Sequence, residues 1–374
     1  MRSEAFAARI AAWQRTHGRH DLPWQGTRDP YRRWVSEIML QQTQVAAVIP
    51  FYLRFLERFP DVAALAGAGL DEVLQAWSGL GYYSRARNLH AAARAVAQRG
   101  GFPPGAAELS GLPGIGRSTA AAIAVFSSGE RAAILDGNVR RVLCRYHGVE
   151  GFPGRPAVER RLWEIAEREL QDADDVEAYT QGLMDLGATV CTRARPRCGE
   201  CPVAAGCVAL EQGRVGELPE PRPRRELPLR ETTMLALVGG AGVLLERRPP
   251  AGIWGGLWSL PEVEAGRVGA FAESLGLRVL GVRPLETFLH QFTHFRLRVT
   301  PLVAQAFPGA DAPVAMDADG PAAMDAAALD ATEGGPVCRW LPFAEVEAAA
   351  LPRPVKTLLL KLGAAGFRER SDAG

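Results

Sequence analysis

Residues 112–120 read Leu112-Pro113-Gly114-Ile115-Gly116-Arg117-Ser118-Thr119-Ala120, and this stretch decides the fold of the first half of the chain. Its two glycines stand directly before an apolar segment, Thr119 to Phe126, with the pattern of a helix. Glycines let a backbone approach a ligand closely, and the N–H groups at a helix N-terminus attract anions. The stretch lacks the spacing of a dinucleotide-binding loop and the Lys-Ser/Thr of a P-loop. We therefore predict a helix–hairpin–helix that holds a DNA backbone, the alternative being an ordinary glycine turn.

The residues on either side of this hairpin, 1–211, have the apolar spacing of helices. Asp29-Pro30 is a helix-start signal, because an acidic N-cap precedes a proline at the first helical position. Ser84 is a candidate cap for a second helix, and an apolar stripe from Leu162 to Leu170 predicts a third. No alternating strand pattern occurs in these residues, so we predict an all-α domain.

The sequence changes character after residue 211. Glycines and prolines alternate with charged residues over 212–230, which is the composition of an extended linker. Beyond it, strands are predicted at Thr232–Val238, Gly242–Glu246, Leu285–His290 and Phe295–Pro301, and a flexible surface loop at Pro308–Gly335. We therefore predict a separate α+β domain over residues 231–374.

Composition and charge restrict the class of protein. The 374 residues are 47% hydrophobic and 23% charged, which excludes a wholly disordered chain. No apolar run approaches the roughly 20 residues that span a bilayer, and the N-terminus lacks the apolar core of a signal peptide. We expect a monomeric, cytoplasmic protein whose cysteines are reduced. A net charge of +1 means that any DNA binding must depend on a local basic patch.

Four of the six cysteines lie close together in the sequence. They are Cys191, Cys198, Cys201 and Cys207, separated by six, two and five residues. Zinc takes four thiolates, but structural zinc sites pair two Cys-x2-Cys knuckles, and only one is present. A [4Fe–4S] cluster also takes four thiolates and tolerates uneven spacing, so the spacing favours it over zinc or unligated thiols. Cys144 and Cys338 stand among apolar residues and are predicted to be buried small hydrophobes.

Three features in order along the chain resemble the endonuclease III superfamily of DNA base-excision glycosylases. They are the hairpin, Asp136 in the run Leu135-Asp136-Gly137-Asn138-Val139, and the four-cysteine loop. Upstream, residues 37–45 (Glu-Ile-Met-Leu-Gln-Gln-Thr-Gln-Val) and 79–83 (Gly-Leu-Gly-Tyr-Tyr) are similar to MutY-type adenine glycosylases, which remove adenine mispaired with 8-oxoguanine. The resemblance spans nearly the whole chain. It implies a six-helix barrel at about 23–130, an iron–sulfur subdomain of 1–22 plus 131–211 with a [4Fe–4S] cluster on the four cysteines, and a Nudix-like domain at 231–374.

The chemistry of glycosidic cleavage needs an acid for the leaving group and an anion beside the sugar, because the transition state is oxocarbenium-like. Glu37 stands among apolar residues that would raise its pKa, and the resemblance implies that it protonates adenine and later assists water. By the same resemblance Asp136 stabilises positive charge at C1′ while capping a helix, and Asn138 orients the sugar or the water. Ser118 stands where the endonuclease III branch has the lysine of strand cleavage, which predicts hydrolysis without strong lyase action.

The resemblance also implies a set of DNA contacts, since the target base must leave the duplex before it is cut. Gln42 and Tyr82 would enter the base stack beside 8-oxoguanine, Trp24 would line the adenine pocket, and the loop 292–294 would reach 8-oxoguanine. The full set of implied contacts is Trp24, Gln41, Gln42, Thr43, Tyr82, Gly114, Gly116, Thr119, Phe292, Thr293 and His294.

The sequence argues against three other functions. A Nudix hydrolase needs the pattern Arg-Glu-x-x-Glu-Glu, which residues 262–280 lack. A pyrimidine glycosylase/lyase of the endonuclease III type conflicts with Ser118 and with the long C-terminal domain. A non-enzymatic, metal-stabilised DNA-binding module would not need Glu37 together with Asp136. We therefore expect an enzyme that associates with the nucleoid and acts on duplexes holding adenine opposite 8-oxoguanine or guanine.

Overall fold

A computed structural model describes residues 2–223, 226–249, 252–309 and 337–364. The chain divides into a helical unit (Met1–Ala76 with Ser84–Arg224) and a sheet unit (Trp77–Tyr83 with Arg225–Gly374). None of the helices in the described ranges is long and apolar enough to cross a membrane. The predicted loop at Pro308–Gly335 lies almost entirely outside the described residues.

The helical unit contains no strand within its described residues, as predicted. Its helices are α1 (Arg2–His17), α2 (Pro30–Leu40), α3 (Val45–Arg58), α4 (Val62–Gly67), α5 (Leu70–Ala76), α6 (Ser84–Gln98), α7 (Ala106–Leu109), α8 (Arg117–Ser128), α9 (Gly137–His147), α10 (Pro156–Gln171), α11 (Val176–Asp185) and α12 (Val208–Glu211). A π-helix, Leu186–Val190, continues α11 and ends directly before Cys191. The three helices predicted around Pro30, Ser84 and Leu162 are confirmed as α2, α6 and α10.

The start of α2 shows how local sequence sets a helix boundary. The Asp29 carboxylate accepts a hydrogen bond from the Tyr31 N–H at 2.9 Å, and Pro30 occupies the first helical position. The aspartate binds one of the free N–H groups at the helix start, and the proline has no N–H that would need a partner. Trp34 and Ile38, one turn apart, face the core and are almost fully buried. This packing fixes the orientation of α2 and therefore of Glu37.

One large core joins the N-terminus to the helices after the hairpin. Phe6 and Ile10 on α1 are fully buried with Val125, Leu143 and Leu162 in a single hydrophobic cluster. Helix α1 packs against α10 and α11. The free Cys144 is also fully buried in this cluster, which confirms the prediction that it is a small hydrophobe of the core. The subdomain boundaries given above stay a prediction.

The first half of the predicted linker packs against the helical unit. Leu218 is buried, and its carbonyl accepts a hydrogen bond from Arg145 Nε at 2.8 Å. The Glu220 carboxylate accepts one from the Gly151 N–H at 2.7 Å. The prediction of an extended linker missed these contacts, because composition does not show which carbonyls a distant arginine will bind.

The sheet unit has seven strands and two helices in its described residues. They are β1 (Leu229–Gly239), β2 (Gly242–Arg247), β3 (Trp258–Ser259), β4 (Leu277–Pro284), β5 (Phe288–Gln291), β6 (Arg296–Pro308), β7 (Cys338–Leu341), α13 (Val268–Ser274) and α14 (Arg353–Ala364). The order is β3-β2-β1-β6-β4, with β5 on β6 and β7 on β2; β1 and β6 are parallel, and every other pair is antiparallel. Helix α14 packs with the core on one face of the sheet and α13 on the other, which confirms an α+β domain.

Strand β6 continues beyond Pro301, where we predicted its end. Strand β5 pairs with β6 up to Val299, and β4 pairs with it from Leu302 onward. Pro301 falls between the two partners, so its missing N–H costs no hydrogen bond to either of them. The sequence prediction also missed β4, because Leu280 and Val282 are exposed and the strand has no alternating apolar face.

Candidate active site and DNA-contact surface

Glu37 lies on the last turns of α2 and is half-buried. Burial, together with the nearby carboxylate of Asp136 and against the opposing charge of Arg33, raises its pKa from 4.5 to about 7. Desolvation disfavours the charged form of an acid, and a like charge does the same. A large fraction of the Glu37 side chains therefore carries a proton at neutral pH.

Arg33, one helical turn before Glu37, is a buried cation of the site that we did not predict from the sequence. Its Nε donates to the Thr27 carbonyl at 3.0 Å, and its guanidinium lies 4.7 Å from the centre of the Phe126 ring. Burial lowers the pKa of Arg33, while the charge of Glu37 raises it. The i, i+4 spacing of Arg33 and Glu37 was the available sequence signal.

Asp136 is the N-cap of α9. Its carboxylate accepts a hydrogen bond from the Val139 N–H at 2.7 Å. Burial raises the pKa of Asp136, and the backbone N–H groups of Val139 and Asn138 together with Arg141 and Arg140 oppose that rise. The N-terminus of a helix also favours an anion. The pKa of Asp136 is raised on balance, but a helix N-terminus and two arginines stabilise its charge, whereas among the described residues Arg33 is the one cation that opposes the rise at Glu37.

Asn138 is held in place by Arg141. The Asn138 Oδ1 accepts a hydrogen bond from Arg141 Nη2 at 2.8 Å, and the same guanidinium donates to the carbonyls of Gly187 (2.6 Å) and Cys191 (2.7 Å). A Cβ atom at Gly187 would lie 2.5 Å from the Cβ of Asn138, so only glycine permits this approach. The start of α9 therefore packs directly on the segment before the cysteine loop.

The hairpin lies before α8, as predicted. Gly114 has φ +76° and faces Asn88 so closely that a Cβ atom would lie 2.6 Å from that side chain. Gly116 is the exposed N-cap of α8. The Ser118 hydroxyl accepts a hydrogen bond from the Leu135 N–H at 2.9 Å, which ties α8 to the segment before Asp136. The Thr119 hydroxyl lies 3.4 Å from Gln41 Nε2.

The two residues that the resemblance implies enter the base stack share an unusual backbone conformation. Gln42 and Tyr82 have φ of +58° and +50° and are both exposed, Tyr82 by 49%. Within the described ranges the only other non-glycine residue with positive φ is Trp254. Such conformations cost about 1–3 kcal/mol each and concentrate at functional sites. Trp24, by contrast, is buried in the core, edge-on to Tyr52 at 5.4 Å between ring centres.

Thr293 and His294 form the exposed tip of the turn between β5 and β6. The Phe292 N–H donates to the Phe295 carbonyl at 2.9 Å, which closes the turn. The two rings at its ends stack at 4.6 Å, and Phe295 is buried in the core. The Thr293 hydroxyl and the His294 Nδ1 lie 3.1 Å apart. The turn therefore presents one hydroxyl and one imidazole to solvent from a rigid aromatic base.

The four cysteines line one apolar cavity together with Val190, Val203 and Leu210. Arg145 Nη1 lies 3.3 Å from the Cys191 sulfur, and its side chain also donates to the carbonyls of Thr192 and Arg193. Burial raises the pKa of the Cys201 thiol to about 11, and negative charge on the other three cysteines raises it too. In the part of the chain that the structure describes, no three or more His, Cys, Asp or Glu side chains are arranged to hold a metal ion.

Comparison with known proteins identifies the family. Residues 35–168 match the family model of the HhH-GPD superfamily base excision DNA repair protein, and residues 232–361 match that of the NUDIX domain. The adenine DNA glycosylase of Buchnera aphidicola subsp. Baizongia pistaciae (strain Bp) is 35% identical over 306 residues, 81% of this chain and 86% of that protein. The mouse (Mus musculus) adenine DNA glycosylase is 35% identical over 375 residues, 83% of this chain and 72% of that protein.

The chain belongs to the adenine DNA glycosylase family.

Members of this family are base-excision repair enzymes that hydrolyse N-glycosyl bonds. The solved structure of a thermostable thymine-DNA glycosylase superposes on 56% of this chain and 97% of its own with a TM-score of 0.51 and 30% identity. The two family models and the observed architecture confirm the predicted fold class, a helical helix–hairpin–helix glycosylase domain followed by a Nudix-like domain.

Proposed function

We propose that this chain excises adenine opposite 8-oxoguanine or guanine in duplex DNA, as a monomer, by hydrolysis and without strong lyase action. The observation that carries the proposal is the pair of carboxyl groups on α2 and α9. Glu37 has its pKa raised to about 7, close enough to Asp136 for that charge to contribute. Two acids in different environments can divide the acid and anion roles of glycosidic cleavage.

The environments of the two carboxyl groups support a division of the two roles. Glu37, a large fraction of which is protonated at neutral pH, donates its proton to N7 of adenine and so assists departure of the base; afterwards it can accept a proton from water. Asp136 accepts hydrogen bonds from backbone N–H groups at the start of α9 and is therefore a better anion than Glu37. It stabilises the positive charge that develops at C1′. Asn138, fixed by Arg141, orients the sugar or the attacking water.

Adenine must leave the base stack before Glu37 can reach it. Gln42 and Tyr82 are the proposed wedges: both are exposed on strained turns, and amide and aromatic planes fit between base pairs. Gln41 and Thr43 flank and support Gln42. Trp24 is proposed to form the inner wall of the adenine pocket from its buried position.

The absence of a suitable lysine supports hydrolysis over lyase action. A lyase needs an amine that attacks C1′ and forms a Schiff base. Position 118 is serine, and the sequence has no lysine before Lys356. The Ser118 hydroxyl also accepts a hydrogen bond from the Leu135 N–H. Its proposed contribution is therefore to position the segment that carries Asp136.

Discrimination of 8-oxoguanine is assigned to the turn at Thr293 and His294. Compared with guanine, 8-oxoguanine gains an N7–H donor and an O8 acceptor. A hydroxyl and an imidazole can bind such groups, and one good polar contact contributes about 1–3 kcal/mol of discrimination. Both side chains are exposed at the tip of a turn that Phe292 and Phe295 hold in place.

The cysteine set fits a [4Fe–4S] cluster better than a single zinc ion. Four thiols line one apolar cavity. The sequence contains only one of the two Cys-x2-Cys knuckles that structural zinc sites pair, whereas a cluster accepts uneven spacing. Cys191, Cys198, Cys201 and Cys207 would hold the cluster, whose contribution when bound is to order the loop. Arg193 and Arg195 are exposed there and available to phosphate.

Single-turnover excision on three duplexes tests the proposal. The duplexes hold adenine opposite 8-oxoguanine, adenine opposite guanine, or an oxidised pyrimidine opposite guanine. We expect excision of adenine from the first two, fastest from the first, and none of the pyrimidine. Borohydride should trap little enzyme on DNA. Excision of the pyrimidine, or efficient trapping, would instead support a glycosylase/lyase of the endonuclease III type.

A further inference from the structure

Arg85 on α6, a buried side chain, binds the C-terminal end of α2. Its Nη1 donates to the carbonyls of Ile38 (3.0 Å), Met39 (2.9 Å) and Gln41 (2.6 Å). Its Nη2 donates to the Thr43 hydroxyl at 3.2 Å. The last carbonyls of a helix have no partners within the helix, so a cation placed there satisfies them and also interacts favourably with the helix dipole.

These contacts surround the strained residue Gln42 on both sides. Gln41 and Thr43, its two neighbours, both bind Arg85, while Gln42 itself is exposed with φ +58°. Two other hydrogen bonds across the turn are longer: the Thr43 N–H donates to the Leu40 carbonyl at 3.3 Å, and the Thr43 hydroxyl to the Gln41 carbonyl at 3.4 Å. A left-handed glutamine persists only where its surroundings hold it there. Arg85 supplies the shortest contact to this turn.

We propose that Arg85 is a positioning residue for base extrusion: it keeps Gln42 in the conformation that enters the base stack. This inference rests on the proposed function, because it assigns a task within that reaction. Arg85 also lies in the first turn of α6, three residues after Tyr82. Arg85 therefore holds the turn that carries Gln42, and it follows closely in sequence the segment that carries the other wedge, Tyr82.

Lysine can replace arginine in only part of this task, because it lacks the second nitrogen, Nη2, that binds Thr43. The guanidinium is a planar fork that reaches several carbonyls and a hydroxyl from one fixed position, whereas an ammonium group is a single point with three donors. Arg85→Lys keeps the buried charge and most of the volume, but it loses the fork that spans residues 38–43. The substitution therefore loosens the turn and leaves the rest of the helical core packed.

The test compares adenine that must be extruded with adenine that is already unpaired. Single-turnover excision is measured for wild type and Arg85→Lys on a duplex with adenine opposite 8-oxoguanine, and on one with adenine opposite a tetrahydrofuran abasic-site analogue. The matched control is Arg94→Lys, an exposed arginine on the same helix. A second readout is the fluorescence of 2-aminopurine placed beside the target adenine, which increases when the bases unstack.

We expect Arg85→Lys to lose about tenfold on the paired substrate, equal to ~1.4 kcal/mol of transition-state stabilisation, and much less on the unpaired one. The 2-aminopurine signal should rise less than for wild type, and Arg94→Lys should match wild type in both assays. Equal losses of Arg85→Lys on the two substrates, with a normal fluorescence change, would overturn the positioning role. Failure of wild type to excise adenine from either duplex would instead overturn the proposed function, and this inference with it.

Discussion

Glu37 acquires its proposed role from its surroundings rather than from its residue type. A surface glutamate is ionised at neutral pH, whereas burial on α2 beside Asp136 raises the pKa of Glu37 to about 7. Asp136 is also buried, but backbone N–H groups and two arginines stabilise its charge. The difference between the proposed roles of Glu37 and Asp136 is therefore electrostatic, and each role can be tested by substituting one residue.

Glu37→Gln should leave duplex binding nearly unchanged and reduce single-turnover excision by about 10²–10⁴-fold, since the amide cannot deliver a proton. Binding is measured by titration of a labelled duplex and excision by strand cleavage in alkali. The matched control is Glu57→Gln, an exposed glutamate on α3. Excision by Glu37→Gln within tenfold of wild type would remove Glu37 from the mechanism.

The raised pKa of Glu37 also predicts a pH dependence. Because the protonated form is the active acid, the excision rate should fall as pH rises through about 7. The folded state binds this proton more tightly than the unfolded chain, so its contribution to the free energy of unfolding should decline between about pH 4.5 and about 7. The measurements are excision rate and denaturant unfolding against pH, the latter as the difference from Glu37→Gln. A rate that is flat from pH 6 to pH 9 would contradict this assignment.

At the scale of elements, the end of α11 and the start of α9 connect the cysteine loop to the proposed catalytic groups. The π-helix Leu186–Val190 leads into Cys191, and Arg141 binds both the Cys191 carbonyl and Asn138. π-Helical turns occur frequently at functional sites. Helix α9, whose N-cap is the proposed anion Asp136, therefore also binds the first residue of the cysteine loop.

The purified protein should contain about four irons per chain, as expected of a [4Fe–4S] cluster on four thiolates. Metal analysis of protein made and purified without oxygen checks the number. Cys198→Ser should lower the iron content and weaken duplex binding more than it lowers helix content by circular dichroism. The buried Cys144 supplies the control, since Cys144→Ala should keep the iron. Stoichiometric zinc in the anaerobic protein would show that the cluster assignment is wrong.

The turn between β5 and β6 predicts a loss of selectivity without a loss of catalysis. Thr293→Ala combined with His294→Ala should reduce the preference for adenine opposite 8-oxoguanine over adenine opposite guanine by about tenfold, because two polar contacts to the lesion are removed. The ratio of single-turnover rates on the two duplexes measures it. Thr287→Ala, an exposed threonine outside the turn, is the control. An unchanged ratio would place lesion recognition elsewhere.

At the scale of the whole molecule, the two units are proposed to divide the reaction. The helical unit holds the carboxyl pair, the hairpin and the cysteines, and the sheet unit holds the turn at Thr293. The segment Trp77–Tyr83, which carries the wedge Tyr82, groups with the sheet unit although its neighbours in sequence are helices of the other unit.

A chain that ends at Pro223 should fold, keep its iron and still excise adenine opposite guanine, while losing about tenfold or more of its preference for 8-oxoguanine. The end is placed after Glu220 because Leu218 and Glu220 bind the helical unit. Truncation removes both the turn at Thr293 and the residues that group with Trp77–Tyr83. The Thr293/His294 variant of the full chain changes the turn alone, so it shows how much of the lost preference is due to the turn. If the truncated chain discriminates as well as the intact one, the wedge residues must recognise the lesion.

The sequence by itself determined the features that depend on neighbouring residues. The N-cap at Asp29, the glycines of the hairpin and the serine at position 118 are local, because caps, turns and the loss of an amine need no distant partner. The assignment of Glu37 and Asp136 as the catalytic carboxyl groups came from motifs that resemble a known family, and it stays a prediction.

Only the tertiary structure decided the features that depend on residues distant in sequence. The shift of the Glu37 pKa requires Asp136 and Arg33 to be near it in a desolvated site. The Arg85 fork, the packing of Leu218 and the parallel pairing of β1 with β6 likewise join segments far apart in the chain. Charge–charge interaction and desolvation act through space, and their size depends on distances that the fold alone sets.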